Sequence, residues 1–364
     1  MIAACAVLLL SALAALQARP AAAMQNPDAL APSVTSAYCG NNIWAVSIAP
    51  ARSFNPLTAT AGQLEANGYP PRPAASDRHG LGTWQKFTAA HREEKSSCNL
   101  RQVHVTASAA STATYNSTAI KTPNWSGYGA WNEGFTDVEA SWVYPPASTV
   151  PPASAISSTW VGLGNATSSP LLQAGSESDA NGNDYLFFEV FPDQSIQEVV
   201  QTPSEPQQGQ TISVHISSSS GFEPTGCVDR FCSALTTCVE KTCVAFHITD
   251  SDLGLNETYV EGTPNGWKIS NTAEWIYERD KVGNVLGQLA NAPPTFTSAQ
   301  AAYGGAWHTL GAMKTGTGVS VQGYTMWDCV GGTLKSPELA SPNPISGASF
   351  SENWGASGHA NQSC

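Results

Sequence analysis

Apolar and polar residues alternate in short runs through the later two thirds of the chain. Phe135-Thr136-Asp137-Val138-Glu139-Ala140-Ser141-Trp142-Val143 alternates and ends at the breaker Pro145-Pro146. Ser157–Val161, Leu171–Gln173, Tyr185–Phe191, Thr211–Ile216, Thr242–Ile248, Ala273–Glu278 and Ala348–Trp354 are similar runs bounded by Gly, Pro, Asn, Asp or Ser. Frequent short strands with little helical periodicity between them predict an all-β sandwich or barrel. A period of two assigns faces: Glu274, Ile276 and Glu278 share one, and Ala273, Trp275 and Tyr277 the other. Tyr185, Phe187, Glu189 and Phe191 likewise lie together.

Composition fits that picture and adds an organisation along the chain. Only 12% of the 364 residues are charged, while Gly, Ser, Thr, Ala and Trp are plentiful, as suits strands joined by turns. Ile2–Leu16 is apolar and is followed by the small residues Ala21-Ala22-Ala23, so residues 1–23 read as a signal peptide, although Met1–Cys5 carries no positive charge. No later run has the length and apolarity of a membrane helix, and a secreted protein is expected. Residues 1–115 hold eight Lys/Arg and five Asp/Glu, a net of +3, whereas residues 116–364 hold eight and 23, a net of −15. A basic segment before a strongly acidic domain predicts a pro-segment, 24–115, held on the domain 116–364 as an intramolecular inhibitor; the alternative is a solvated basic face. The Ser/Thr/Ala-rich stretch Ala107–Ala119 suits a linker open to cleavage.

Cysteines point to export. Cys5 lies in the leader, Cys39 and Cys98 precede residue 115, and Cys227, Cys232, Cys238, Cys243, Cys329 and Cys364 follow it. Even counts in both parts predict disulfides within each, with 15 possible pairings for the six. The Cys227–Cys243 run lacks a C-x2-C knuckle and a nearby His pair, so no metal is expected.

The usual hydrolase signatures are absent: G-x-S-x-G, H-E-x-x-H, Asp-Thr-Gly and Asp-Ser-Gly. No phosphate-binding glycine loop occurs, and the net charge opposes nucleic-acid binding. His215 and His247 sit in strand-like runs and read as structural. What stands is a set of carboxylates, an amide and tryptophans at strand positions.

These occur in a recognisable series. Asn124-Trp125-Ser126-Gly127-Tyr128 is followed by Phe135…Val138…Ser141-Trp142-Val143, by Trp160-Val161-Gly162-Leu163-Gly164, by Leu171-Leu172-Gln173-Ala174-Gly175, by Tyr185-Leu186-Phe187-Phe188-Glu189-Val190-Phe191-Pro192 and by Ala273-Glu274-Trp275-Ile276-Tyr277-Glu278. In order and spacing the series resembles the glutamic peptidases, or eqolisins, over roughly residues 122–355. The resemblance implies a concanavalin-like sandwich of two antiparallel sheets, preceded by a pro-segment. It also implies an endopeptidase acting in acid on proteins and peptides without a cofactor; a monomer is expected. Gln173 aligns with the family's catalytic glutamine and Glu278 with its catalytic glutamate, while Trp125, Trp160, Phe187 and Glu189 match cleft positions. Departures are Gly164, where some members carry Asp, and Phe187 and Val190, where Trp is common.

The chemistry can be read from the residues too. Amide hydrolysis needs a base for water, a donor for the oxyanion and an acid for the leaving amine. Glu278 is assigned the first and last tasks and Gln173 the oxyanion; Glu189 is read as support and Glu274 as structural. Two other readings are a jelly-roll glycoside hydrolase using Glu189 and Glu278, and a non-catalytic lectin-like module.

Overall fold

The computed structural model describes residues 32–60, 97–102, 114–115, 119–146, 155–164, 170–178, 183–192, 196–199, 205–219, 243–250, 252–263, 271–282 and 285–359, with short pieces between 63 and 89 and residues 362 and 364. The expected signal peptide, most of the Ala107–Ala119 linker and Cys227, Cys232 and Cys238 lie outside the described residues.

Each alternating run forms a strand at or within a few residues of its expected place: Phe135–Val143, Ser157–Gly164, Leu171–Ser178, Asp184–Phe191, Thr211–Ser219, Cys243–Asp250, Thr272–Arg279 and Phe350–Trp354. They build two sheets. One, here the site sheet, runs in spatial order Leu100–Gln102, Gln197–Val199, Asp184–Phe191, Leu171–Ser178, Ser157–Gly164, Thr272–Arg279, Trp125–Trp131 and Ser320–Cys329, every neighbour antiparallel. Ala119–Thr122 joins Ser320–Cys329 in parallel. The other sheet runs Ser33–Gly40, Ile43–Ala49, Leu255–Gly262, Cys243–Asp250, Thr211–Ser219, Phe135–Val143 and Thr295–Tyr303, again antiparallel. Phe350–Trp354 bridges the two, pairing with Thr295–Tyr303 on one side and Leu334–Pro342 on the other. A single short helix, Leu310–Thr315, is described, with Thr309 accepting from the Ala312 amide at its start.

The core lies between the sheets and takes alternate residues from both. Val161, Leu163, Leu172, Ala174, Leu186, Phe188, Ala273 and Trp275 of the site sheet meet Val138, Ala140, Trp142, Val214, Ile216, Phe246 and Tyr259 of the other. Phe188 stacks on Phe246 and Tyr259, each at 5.0 Å. Buried indole N–H groups find partners across the interface: Trp142 donates to Ser176 Oγ at 3.1 Å and Trp275 to the Glu139 carbonyl at 2.9 Å. The opposite parity of each site-sheet strand therefore faces away from this core, and that outer face carries the polar residues singled out above.

Two disulfides are closed among described cysteines, Cys39–Cys98 before residue 115 and Cys329–Cys364 after it, as the even counts predict. Residues 33–49, within the expected pro-segment, supply two strands of the second sheet.

Candidate active site

Antiparallel registration turns the outer face of the site sheet into rows. One row reads Trp125, Glu278, Ser158, Glu177, Tyr185 across five neighbouring strands. The next reads Gly127, Ile276, Trp160, Gly175, Phe187. A third reads Gly129, Glu274, Gly162, Gln173, Glu189. The middle row is apolar and packs into one cluster with Trp125, Tyr185 and Tyr324, so it separates two polar rows.

The third row places a carboxylate and an amide on either side of a gap. Gln173 and Glu274 are two strands apart, about 10 Å between backbones at ~4.8 Å per strand. Gly162 stands between them without a side chain. A Cβ built there would lie 3.0 Å from Glu274 Oε2, so the carboxylate leans over the glycine toward Gln173. On the far side, Gln173 Nε2 donates to Glu189 Oε2 at 2.6 Å. That bond fixes which end of the amide points where. It leaves Gln173 Oε1 without a hydrogen-bond partner, and Glu274 keeps both oxygens without one. The Thr272 hydroxyl, which donates to the Gly164 carbonyl, favours the charged form of Glu274.

Burial sets the proton affinity of this row. Gln173 and Glu189 are 2% exposed and Glu274 is wholly buried. Desolvation pushes Glu274 up to about 8, with the Thr272 hydroxyl opposing it. Glu189 is also raised to about 8, by desolvation first, with the Gln173 amide lowering it and the Asp280 charge adding to the rise.

Glu278 sits elsewhere. It accepts from Asn124 Nδ2 at 3.1 Å and from Trp160 Nε1 at 2.8 Å. Burial, then the neighbouring Asp280 carboxyl, hold it well above the ordinary carboxylate range, and those donors offset this only in part. Ser158 donates to Asp280 Oδ1 at 3.2 Å, and Tyr185 donates to Glu177. Gln173 and Glu278 are four residues out of register as well as two strands apart. At ~3.3 Å per residue and ~4.8 Å per strand their backbones stand about 16 Å from each other. The sheet register thus sets Gln173 and Glu278 apart: the residue facing Gln173 across Gly162 is Glu274, which the sequence reading had left structural. Glu189 and Glu278 lie a further strand apart, about 20 Å between backbones, well beyond the ~5–9.5 Å that paired glycosidase carboxyl groups need.

The aromatic residues fall where expected on this face. Trp125 meets Trp160 edge-on, with centroids 5.1 Å apart and rings at 78°. Trp160 lies across Gly175, where a Cβ would be 2.7 Å from its own Cβ. Phe187 continues the same row. The departure at Gly164 has a packing cause: a Cβ there would come 2.4 Å from the Pro170 carbonyl oxygen, leaving no room for Asp. Ser158 and Glu177 in the Glu278 row, with Asn124 and Asp280 bonded to it, are polar residues that the sequence reading did not assign. No group of His, Cys, Asp and Glu suited to a metal occurs among the described residues.

Residues 123–228 match the model of the Peptidase A4 family. Among solved structures, similarity extends to scytalido-glutamic peptidase crystallised with a transition-state analogue inhibitor, at 16% identity, 64% of this chain, 98% of that one and a TM-score of 0.48. It also extends to SCP-B, an eqolisin in complex with the tripeptide Ala-Ile-His, at 17%, 64%, 98% and 0.44. A third is aspergilloglutamic peptidase from Aspergillus niger, at 18%, 55%, 99% and 0.39. No curated protein matches the chain. The family match takes in Trp125, Trp160, Gln173, Phe187 and Glu189 but stops before Glu274 and Glu278. The segment that carries the amide half of the site is therefore similar to the Peptidase A4 family.

Proposed function

We propose that the chain is a secreted, acid-acting endopeptidase in which Glu274 and Gln173 work together across Gly162. The observation that carries this reading is the row Glu274–Gly162–Gln173–Glu189, with the carboxylate leaning over the glycine gap.

A peptide carbonyl seated over Gly162 would have Glu274 on one side and the Gln173 amide on the other. Ionised Glu274 takes a proton from water as the oxygen attacks the carbonyl carbon. Gln173 Nε2 has a second hydrogen besides the one given to Glu189, and that hydrogen stabilises the oxyanion. Gln173 Oε1, free of other partners, accepts from the attacking water. Glu274, now protonated, returns its proton to the leaving nitrogen. Ile276, Trp160 and Phe187 supply an apolar strip for substrate side chains.

Acid operation follows from the carboxyl group. In the closed full-length chain Glu274 is raised to about 8 and holds its proton at neutral pH. Once substrate and water reach it, the desolvation that raised it is reduced, and it falls toward the ordinary range near ~4.3. Closure of the whole row to solvent fits a latent precursor. The test is digestion of an unfolded protein between pH 3 and 7, with new amino termini identified by mass spectrometry. Internal cuts that persist with metal chelators and with serine- and cysteine-directed reagents are expected. Absence of cuts at every pH, after removal of N-terminal residues as well as before, would refute the reading.

A further inference from the structure

One N-terminal region closes the edges of both sheets. Ser33–Gly40 and Ile43–Ala49 form an antiparallel hairpin whose turn residues Asn41 and Asn42 have φ of 50° and 59°. Left-handed backbone at two successive positions is what a tight hairpin turn requires, and asparagine tolerates it well. The inner strand pairs with Leu255–Gly262, residue by residue from Val46↔Thr258 to Ile43↔Glu261. Ile43 and Ala45 enter the core between the sheets, while Val46 and Ile48 pack on Cys243, Ala245 and Val260 from the other face. All four are at most 2% exposed.

Some fifty residues later the same region reaches the other sheet. Leu100–Gln102 pairs with Gln197–Val199, Leu100 packs against the main core, and Arg101 meets Glu198 Oε2 at 2.6 Å through Nε and 2.5 Å through Nη2. Cys39–Cys98 ties the hairpin to this second strand, and Tyr259 donates its hydroxyl to the Ser97 carbonyl at 3.1 Å. A covalently stapled clip thus holds one edge of each sheet.

The forces in the clip differ from those of an inhibitor held by charge. Ladder hydrogen bonds and buried aliphatic side chains do not titrate, so acid does not weaken them. Of the contacts just named, Arg101–Glu198 is the ion pair, and an ion pair with one exposed partner is worth little. Removing the clip would uncover apolar core and leave the backbone of Thr258–Glu261 unpaired at a buried edge. We propose that the strands Ser33–Gly40, Ile43–Ala49 and Leu100–Gln102 are a permanent part of the sandwich: after a cut between residues 102 and 114, the N-terminal piece stays bound as a second chain. This differs, for these strands, from the expectation of an intramolecular inhibitor held by charge. It does not rest on the peptidase reading.

The test places a recognition site for a sequence-specific exogenous protease between residues 103 and 113. The protein is cut at neutral pH and then passed over a sizing column at pH 7 and at pH 4. Mass spectrometry identifies each fragment. One peak holding both pieces at both pH values, resolved only by denaturant, is expected. With Val46→Asp the bound fraction of the piece should fall at least tenfold after cutting. Separation of wild-type piece from a soluble body at either pH would overturn the proposal. Amide exchange on the uncut chain gives a second reading that does not depend on the cut protein staying in solution. Ile43–Val46 should exchange as slowly as the central strand Thr272–Arg279; exchange of the hairpin orders of magnitude faster would also overturn it.

Discussion

Replacing Gly162 by alanine puts a methyl group into the gap that the proposed chemistry uses. Its Cβ would lie 2.9 Å from Trp160 Cζ3, 3.0 Å from Glu274 Oε2 and 3.1 Å from Leu171 Cδ1. Carbon prefers neighbours at about 3.5–4.0 Å, so each must retreat by some 0.5–1 Å. Because Gly162 is an ordinary extended strand residue, the backbone itself tolerates the change. Overpacking in a tight site costs typically ~1–3 kcal/mol, which a sandwich of this size should survive with a lowered Tm. The carboxylate ends a flexible side chain and has no hydrogen-bond partner to hold it, so it moves first and turns away from Gln173. A displacement near 1 Å in a reacting group costs ~10² in rate. Gly162→Ala should therefore reduce kcat/KM about a hundredfold in protein that remains folded by circular dichroism. Ser158→Ala, in the Glu278 row, is the matched control and should stay within a few-fold of wild type. Folded Gly162→Ala enzyme with unchanged kcat/KM would refute the placement of the reacting carbonyl over Gly162.

Other outcomes follow from the same geometry. Glu189→Ala frees the Gln173 amide and should lower kcat by ~10-fold or more through misorientation while KM changes less, read by steady-state kinetics. Stability should fall as pH rises from about 4 to 8, because Glu189, Glu274 and Glu352 are raised to about 8 and Asp280 to about 7, so the folded state binds more protons than the unfolded one across that window. Each such group contributes a slope of up to ~1.4 kcal/mol per pH unit, while the lowered Asp328 acts below that window; a Tm that is flat or rises toward pH 8 would contradict this. Arg279→Met leaves Asp328 buried and paired only with His359, and should cost about 3–5 kcal/mol in a denaturant titration.

Most of the fold was legible because half-buried strands announce themselves by alternation. Phe135–Val143 and Thr272–Arg279 emerge almost to the residue, with faces as expected. Strands that break the alternation with glycine, as Trp125–Trp131 does, or with many small residues, as Thr295–Tyr303 does, were seen only as motifs or not at all. The hairpin 33–49 was missed for a different reason. Charge had set residues 24–115 apart, whereas its role depends on a partner strand more than two hundred residues away. The same limit explains the reassigned glutamate. Alternation puts Glu274 and Glu278 on one face but says nothing of register between strands. A four-residue offset decides which of them meets Gln173. A usable signal was present in Gly162: it shares a face with Trp160, and a glycine on a crowded functional face marks a space kept open.

The most direct test compares Glu274→Gln with Glu278→Gln in purified, folded protein, measuring kcat/KM on a peptide substrate at acid pH. Each change removes one carboxylate and keeps its shape. The geometry predicts that Glu274→Gln loses activity by at least ~10³, as expected when the group that moves the proton is gone. Glu278→Gln should retain measurable turnover, because that residue stands about 16 Å from Gln173 along the sheet. The reverse result, an inactive Glu278→Gln beside a near-normal Glu274→Gln, would contradict the account.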